Sequence, residues 1–343
     1  MLDDLKYIHE RDASDALGLV EKQADQLLSD FEVFQDQVAA DSIVYAGMGS
    51  SALAAQVGSV WPGYSQPLEI VRGYDIPAYV SARTYFIAAS FSGNTEETLS
   101  ALEQAEARGA TIAVITGGGR LADIARAKNY ALALLPKTSQ PRFALLANLK
   151  ALLTLLDQAG LTTNDNWEAE LAEAAGHLKT AVQVWLPTVP TVKNGAKQIA
   201  LDVIGKSAVI YSGPKLAPAA YKWKIGFNEN AKQVAWTNQL PEFNHNEFTG
   251  WTEQPVAKPY AVIDLRSNLE HPRIAKRFEI SERLLSGKRP APIIVEAVGT
   301  TLLEQLLWTM ALGDFVTIYA GLANGLDPTP VSVVEKFKKM MEE

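Results

Sequence analysis

The stretch from Tyr85 to Leu102, YFIAASFSGNTEETLSAL, constrains the fold more than any other. Tyr85–Ala89 is an unbroken apolar run of strand length, without the alternation of a strand that faces water on one side. Ser90-Phe91-Ser92-Gly93-Asn94-Thr95 is a polar turn, and helical periodicity follows it, opened by Glu96 and Glu97. A buried strand, a glycine-bearing turn and a helix, in that order, make one unit of a parallel α/β sheet. The turn sets three hydroxyls and a glycine at the helix N-terminus. Free N–H groups and the positive end of the helix dipole favour an anion such as phosphate there. The same residues also suit a plain cap, with Ser92 or Thr95 at the N-cap and two carboxylates in the first turn. On this loop alone both readings are open.

The rest of the chain repeats the pattern. Ser42–Ala46 reads as a strand running into Gly47-Met48-Gly49-Ser50-Ser51-Ala52 and a helix over Leu53–Val60. This turn lacks the third glycine of the dinucleotide fingerprint, and no acidic residue suited to a ribose follows it. Leu68–Arg72, Thr111–Thr116 and Ala131–Leu135 read as further strands, with a helix over Leu121–Lys128 after Gly117-Gly118-Gly119. Such alternation predicts a doubly wound parallel sheet, with ligands at the carboxyl ends of its strands, where both serine-bearing turns lie. The second half shows the same order: strands at Ser207–Tyr211, Tyr260–Leu265 and Ile293–Ala297, and helices at Pro272–Leu285 and Leu302–Tyr319. A helical stretch after Pro214 reads as interrupted at Gly226–Asn230. Two similar domains are expected, 1–160 and 161–343. The first carries an N-terminal helix from the apolar spacing in 13–40. The second ends in a helix over Val331–Met341, capped by Asp327-Pro328-Thr329-Pro330.

Composition removes several classes of function. A net charge of -8 argues against nucleic acid, whose phosphates need clustered Lys and Arg. The absence of Cys excludes disulfides and thiol chemistry and permits a reducing cytoplasm. Four scattered His residues have no metal-ligand spacing, and neither a nucleophile elbow nor a P-loop is present. The acidic start is unlike a signal peptide, and the apolar runs are broken by charges or Gly, so no membrane span is expected. The expectation is a cytoplasmic protein without metal or cofactor.

Three residues invite chemistry. Arg142 enters an apolar helix over Ala144–Ala159, either as a surface cation paired with a carboxylate or as a site cation. Glu229, between Asn228 and Asn230 at an expected helix start, is either a first-turn carboxylate or a base. His245, between Asn244 and Asn246 in a loop, has no packing role there and is either a plain surface histidine or a site residue.

SFSGNTEET resembles the phosphosugar-binding SIS domain. Together with GMGSSA, QPRFAL, FNENAK, LPEFNHNE and DPTPV followed by EKFK, it resembles the bifunctional phosphoglucose/phosphomannose isomerases, from about Ile43 to Lys336. The SGNTEET loop is common to many phosphosugar proteins, whereas FNENAK with LPEFNHNE is far more specific. The resemblance implies an α/β chain of two SIS-type (flavodoxin-like) domains, each a parallel sheet flanked by helices. It implies a homodimer acting on a phosphosugar. Ser51, Ser90, Ser92 and Thr95 would hold the phosphate, with Gly49, Ser50 and Asn94 alongside. Glu229 would move a proton between C2 and C1, and Arg142 would stabilise the enediolate. His245 of the partner subunit would assist ring opening with Lys336, and Thr329 would sit by the sugar. The implied reaction is a metal-independent interconversion of glucose 6-phosphate and mannose 6-phosphate with fructose 6-phosphate. The rivals are a non-catalytic phosphosugar sensor and an isomerase for another phosphosugar. Where the family commonly has GMGGSG, this chain has Ser50 and Ala52, which add a Cβ at each position.

Overall fold

The computed structural model describes residues 1–138, 140–252 and 259–341. Ser139, the first residue of the lead-in to Arg142, lies outside them. The chain forms two compact units, one of Lys22–Gly176 and one of Met1–Glu21 with His177–Glu343. This division differs from the expected 160/161 boundary, and the start of the chain groups with the second unit. The reason is local. Tyr7 donates from its hydroxyl to the Leu322 carbonyl at 2.8 Å. Asp3 accepts from the Thr191 N–H and hydroxyl and from the buried Lys197 ammonium. The apolar spacing in 13–40 also resolves differently, into a six-residue helix over Ala16–Glu21 and a short 3-10 turn rather than one long helix. The chain opens with α1 (Leu5–Arg11) and α2 (Ala16–Glu21); a 3-10 turn over Gln23–Leu28 follows. Asp12 caps α2 through the Ala16 and Leu17 N–H groups, and the left-handed Asp15 separates α2 from what precedes it.

The unit of 22–176 is a five-stranded parallel sheet. Its elements are β1 (Ser42–Gly47), α3 (Gly49–Val60), β2 (Leu68–Val71), β3 (Thr84–Ser90), α4 (Glu96–Ala107), β4 (Thr111–Thr116), α5 (Gly119–Lys128), β5 (Ala131–Leu134) and α6 (Leu145–Gln158), in strand order β2-β1-β3-β4-β5. Continuous apolar strands are what a sheet covered on both faces requires. Tyr45, Tyr85, Ile87 and Ile115 pack with Ala151, Leu152 and Leu155 of α6. Their neighbours Val44, Phe86, Ala88 and Val114 pack on the other face with Leu102 of α4 and Leu121 of α5. The helix α7 (Trp167–Ala181) contains the division between the units.

The second unit continues with α8 (Gly195–Asp202), β6 (Ser207–Ser212), α9 (Ala217–Glu229), β7 (Ala235–Gln239), α10 (Glu247–Gly250), β8 (Tyr260–Arg266), α11 (Pro272–Leu284), β9 (Ile293–Glu296), α12 (Leu302–Ala323) and α13 (Ser332–Met341). Its four parallel strands run β7-β6-β8-β9. The first four strands of the other sheet have the same order, so the pseudo-repeat of the sequence is a repeat of topology. One expectation changes: α9 is not interrupted at Gly226 but runs through it to Glu229. A Cβ at Gly226 would lie 2.7 Å from Thr317 Oγ1 of α12, so this glycine permits close helix packing rather than a break. By length and composition α12 is apolar enough to cross a membrane, but 89% of its apolar window is buried inside the protein, which makes it a core helix.

Candidate active site

In the first sheet β1 pairs with β2 on one side and β3 on the other, with Gly47 opposite Ala89. Strand order therefore reverses between β1 and β3, the switch point at which open α/β sheets form a ligand crevice. Both serine-bearing turns leave the sheet there. Gly49 (φ +53°) and Gly93 (φ +71°) take the left-handed backbone that such sharp exits need. A third turn locks the second: Leu121 N–H donates to the Gly93 carbonyl at 3.0 Å, and Gly117 N–H to that of Phe91 at 3.0 Å. Asn94 takes part in this lock, its Oδ1 accepting from Arg120 N–H at 3.1 Å.

The hydroxyls of the Ser90–Thr95 turn form a cluster. Ser90 Oγ lies 2.7 Å from Thr95 Oγ1 and 3.3 Å from Ser92 Oγ. Thr95 occupies the N-cap position of α4, yet its side chain makes no capping bond. Ser92 accepts from Asn94 N–H, within its own turn. Met48, at the N-cap of α3, has no capping group. The plain capping reading therefore does not describe these residues: two helix starts at one crevice have no cap from their N-cap side chains, beside three clustered hydroxyls. That is a setting for a multivalent oxyanion. Glu96 is turned aside, its carboxylate accepting from the Tyr74 hydroxyl, whose pKa that bond pushes up to about 12.

Beneath the first turn, the buried Tyr45 hydroxyl donates to the Ser51 carbonyl at 2.8 Å and meets Asn148 Oδ1 at 3.1 Å. Ser50 and Ala52 lie inside α3 with ordinary helical backbone, so their side chains cost no strain; Gly49 alone carries the bend. Arg142 sits on a 3-10 turn, Pro141–Ala144, that leads into α6, with its guanidinium 4.8 Å from the Phe143 ring centroid. It is only 3% exposed, which sets aside the surface-cation reading.

Glu229 belongs to the other unit. It is the last residue of α9, at the C-terminus of a helix and not at the start expected from the sequence. The turn after it is tightly held. Buried Asn230 donates from Nδ2 to Thr317 Oγ1 at 2.9 Å, and Asn228 to the Gln233 carbonyl at 2.9 Å. Lys232, left-handed at φ +53°, places its ammonium 2.9 Å from three carbonyls, those of Glu229, Asp327 and Pro328. The end of α9 is thereby joined to the segment that carries buried Thr329, whose N–H bonds Asp327 Oδ1 at 2.9 Å.

His245 ends a 3-10 turn, Glu242–His245, and is exposed. Its neighbours are anchored on both sides. Asn244 donates to Ser281 Oγ at 2.9 Å and accepts from Arg277 at 3.2 Å. Glu247 accepts from the Tyr211 hydroxyl and from Asn238. Lys336 lies exposed on α13. Of the expected residues, Gly49, Ser50, Ser51, Ser90, Ser92, Asn94, Thr95 and Arg142 lie in the unit of 22–176, and Glu229, His245, Thr329 and Lys336 in the other.

The SIS domain family model matches residues 38–161, and the model for the bacterial phospho-glucose isomerase C-terminal SIS domain matches 192–341. A bifunctional phosphoglucose/phosphomannose isomerase of Aquifex aeolicus is 30% identical over 315 residues, covering 91% of this chain and 94% of that protein. The chain belongs to the bifunctional phosphoglucose/phosphomannose isomerase family. It is an isomerase built on SIS domains. Another family member, from Caldicellulosiruptor bescii, is 33% identical over 88% of this chain and 90% of its own length. Among solved structures, a glucose-6-phosphate isomerase like protein from Thermus thermophilus shares the fold, with a TM-score of 0.66 over 98% of both chains at 18% identity.

The contacts of Lys232 were not foreseen from the sequence. It lies in the FNENAK motif, but its contacts are to backbone carbonyls, one of them 95 residues along the chain, and carbonyls leave no mark in a sequence. Thr317, the partner of Asn230, was equally invisible inside an apolar helix.

Proposed function

We propose that this isomerase interconverts glucose 6-phosphate and mannose 6-phosphate with fructose 6-phosphate, without a metal or a nucleotide. The observation that carries the reading is the hydroxyl cluster of Ser90, Ser92 and Thr95 beside helix starts that their own N-cap side chains leave uncapped. The 6-phosphate is the anion for that seat, with Ser50, Ser51 and the turn at Gly49 on its β1 side. Anchoring the far end of the sugar supplies binding energy and orients its reacting carbons.

His245 of a second copy opens the pyranose ring, with Lys336 assisting, and a homodimer is the working assembly. Glu229 takes the C2 proton of the open aldose, and the electron pair moves into a cis-enediolate. The charge on the oxygens is met by the Arg142 guanidinium. Glu229 returns the proton to C1, a hydrogen passes from O2 to O1 in balance, and the ketose results. Both aldoses lose the same C2 proton, so one base serves both epimers once the sugar rotates about C2–C3. We assign Thr329 the contact with the sugar during that rotation. The curated relatives carry both activities in their names, which supports the dual assignment.

The test is turnover on glucose 6-phosphate, mannose 6-phosphate and arabinose 5-phosphate, each with and without a chelator. We expect fructose 6-phosphate from both hexose phosphates and no effect of the chelator. Binding without turnover, turnover of the pentose phosphate alone, or loss of activity with the chelator contradicts the proposal.

A further inference from the structure

The second sheet has a switch point of its own. β6 pairs with β7 on one side and β8 on the other, so strand order reverses between β6 and β8. In the first sheet the equivalent place carries the serine turns, with Gly49, Ser92 and Asn94 exposed. In the second it is filled from within. Glu270, in the turn after β8, brings Oε1 to 2.7 Å from the Lys215 N–H. This amide is the first N–H of the short 3-10 turn, Pro214–Leu216, that leads into α9. A Cβ on Gly213 would lie 2.3 Å from Glu270 Oε1, so the glycine here makes room for a carboxylate.

The Glu270 turn is built to hold that position. Fully buried Gln305 of α12 accepts from Ser267 Oγ and donates to Asn268 Oδ1 at 2.7 Å and to the Gly299 carbonyl at 2.9 Å. Leu269 N–H returns to Ser267 Oγ at 3.0 Å, and the Lys215 ammonium bonds the Leu269 carbonyl next to the carboxylate. One amide thus donates to the carboxylate, and an ammonium is held on the carbonyl of the residue before it. Ser212 Oγ, at the end of β6 one residue before Gly213, is buried with no hydrogen-bond partner among the described residues.

We infer that the β6–β8 crevice is a second anion seat whose ligand is the chain's own Glu270 carboxylate, so that each chain takes one phosphorylated ligand and not two. The comparison with the first crevice rests on the phosphate seat proposed above.

The test is a calorimetric titration of the full chain with inorganic phosphate, for wild type, Glu270→Ala and Glu270→Gln. Wild type is expected to bind one phosphate per chain and Glu270→Ala two. Glu270→Gln removes the same charge but still fills the seat, so it is expected to bind one. That variant separates a vacated seat from a general gain in positive charge. Should Glu270→Ala fail to fold, Glu270→Ser is read in the same way. The inference is overturned if wild type already binds two, if Glu270→Ala binds no more than wild type, or if Glu270→Gln gains a site as Glu270→Ala does. Wild type binding none with Glu270→Ala binding one would refute the seat at Ser90–Thr95 and the count of one ligand per chain, while supporting Glu270 as the occupant of the β6–β8 seat.

Discussion

Thr95 stands at the N-cap of α4 and spends its hydroxyl on Ser90, 2.7 Å away. Removing that hydroxyl separates two roles. As a phosphate ligand, Thr95→Val loses a hydrogen bond to a charged group, so KM should rise about 10- to 100-fold with little change in Tm. As a plain cap it would instead lose about 1 kcal/mol of stability and leave KM alone. Parallel thermal melts and initial rates decide between them. Lys232 offers a second test. Lys232→Gly keeps the left-handed backbone without strain and removes only the cation that joins Glu229, Asp327 and Pro328. We expect kcat to fall about tenfold or more with KM nearly unchanged, because the base loses its support while the phosphate seat stays whole. Unaltered kcat would show that the three carbonyls hold their places without the cation. Arg142, Glu229 and His245 could be singled out as candidates because charges and a loop histidine stand out among apolar or amide neighbours. Lys232 could not, since its contacts depend on a backbone angle and on carbonyl oxygens.

α9 and α12 meet through small residues, and that packing fixes where α9 ends. Gly226 lies against Thr317, and a Cβ on Gly321 would come within 2.5 Å of the Asn230 carbonyl. Gly321→Ala should therefore overpack the contact and cost about 1–3 kcal/mol, measured by denaturant titration, with a loss of turnover as α9 shifts. α12 itself begins with a capping box. Thr301 Oγ1 accepts from Glu304 N–H, and the Glu304 carboxylate accepts from Thr300 and Thr301. Partial burial raises the Glu304 pKa, and these hydrogen bonds more than offset it, so the folded value lies below 4.5. A depressed carboxyl pKa contributes stability above the unfolded value, and that stability is lost as pH falls through the folded one. The stability gap between wild type and Glu304→Gln should be largest at neutral pH, about 1 kcal/mol, and shrink as pH drops below 4.5. A gap that does not narrow in acid would contradict the charged cap. All eight strands read from the sequence appear within a residue at each end, because strands buried on both faces are continuous apolar runs. β7, an edge strand of sequence AWTNQ, had no such run and was missed. Gly226 was taken for a helix break because a glycine that admits a neighbouring helix and one that ends a helix look alike in sequence.

Across the whole molecule, the four-stranded sheet repeats the order of the first four strands of the other, and the two differ at their switch points, with a hydroxyl cluster at one and Glu270 at the other. The assembly proposed for the enzyme can be tested with two defective variants. If His245 serves the site of a second copy, Glu229→Gln and His245→Ala protomers mixed and reassembled should recover about a quarter of wild-type activity, since half of the dimers are mixed and one of their two sites is intact. A mixture no better than its components would place His245 at its own chain's site. The proposed reaction depends on one base acting on a sugar held by its phosphate. Its most direct test measures Glu229→Gln twice, for turnover of fructose 6-phosphate in deuterated water and for binding of the same sugar phosphate. We predict binding close to wild type, with isomerisation and deuterium incorporation both slowed about a thousandfold or more. Near-normal turnover or deuterium incorporation by Glu229→Gln would contradict the central claim.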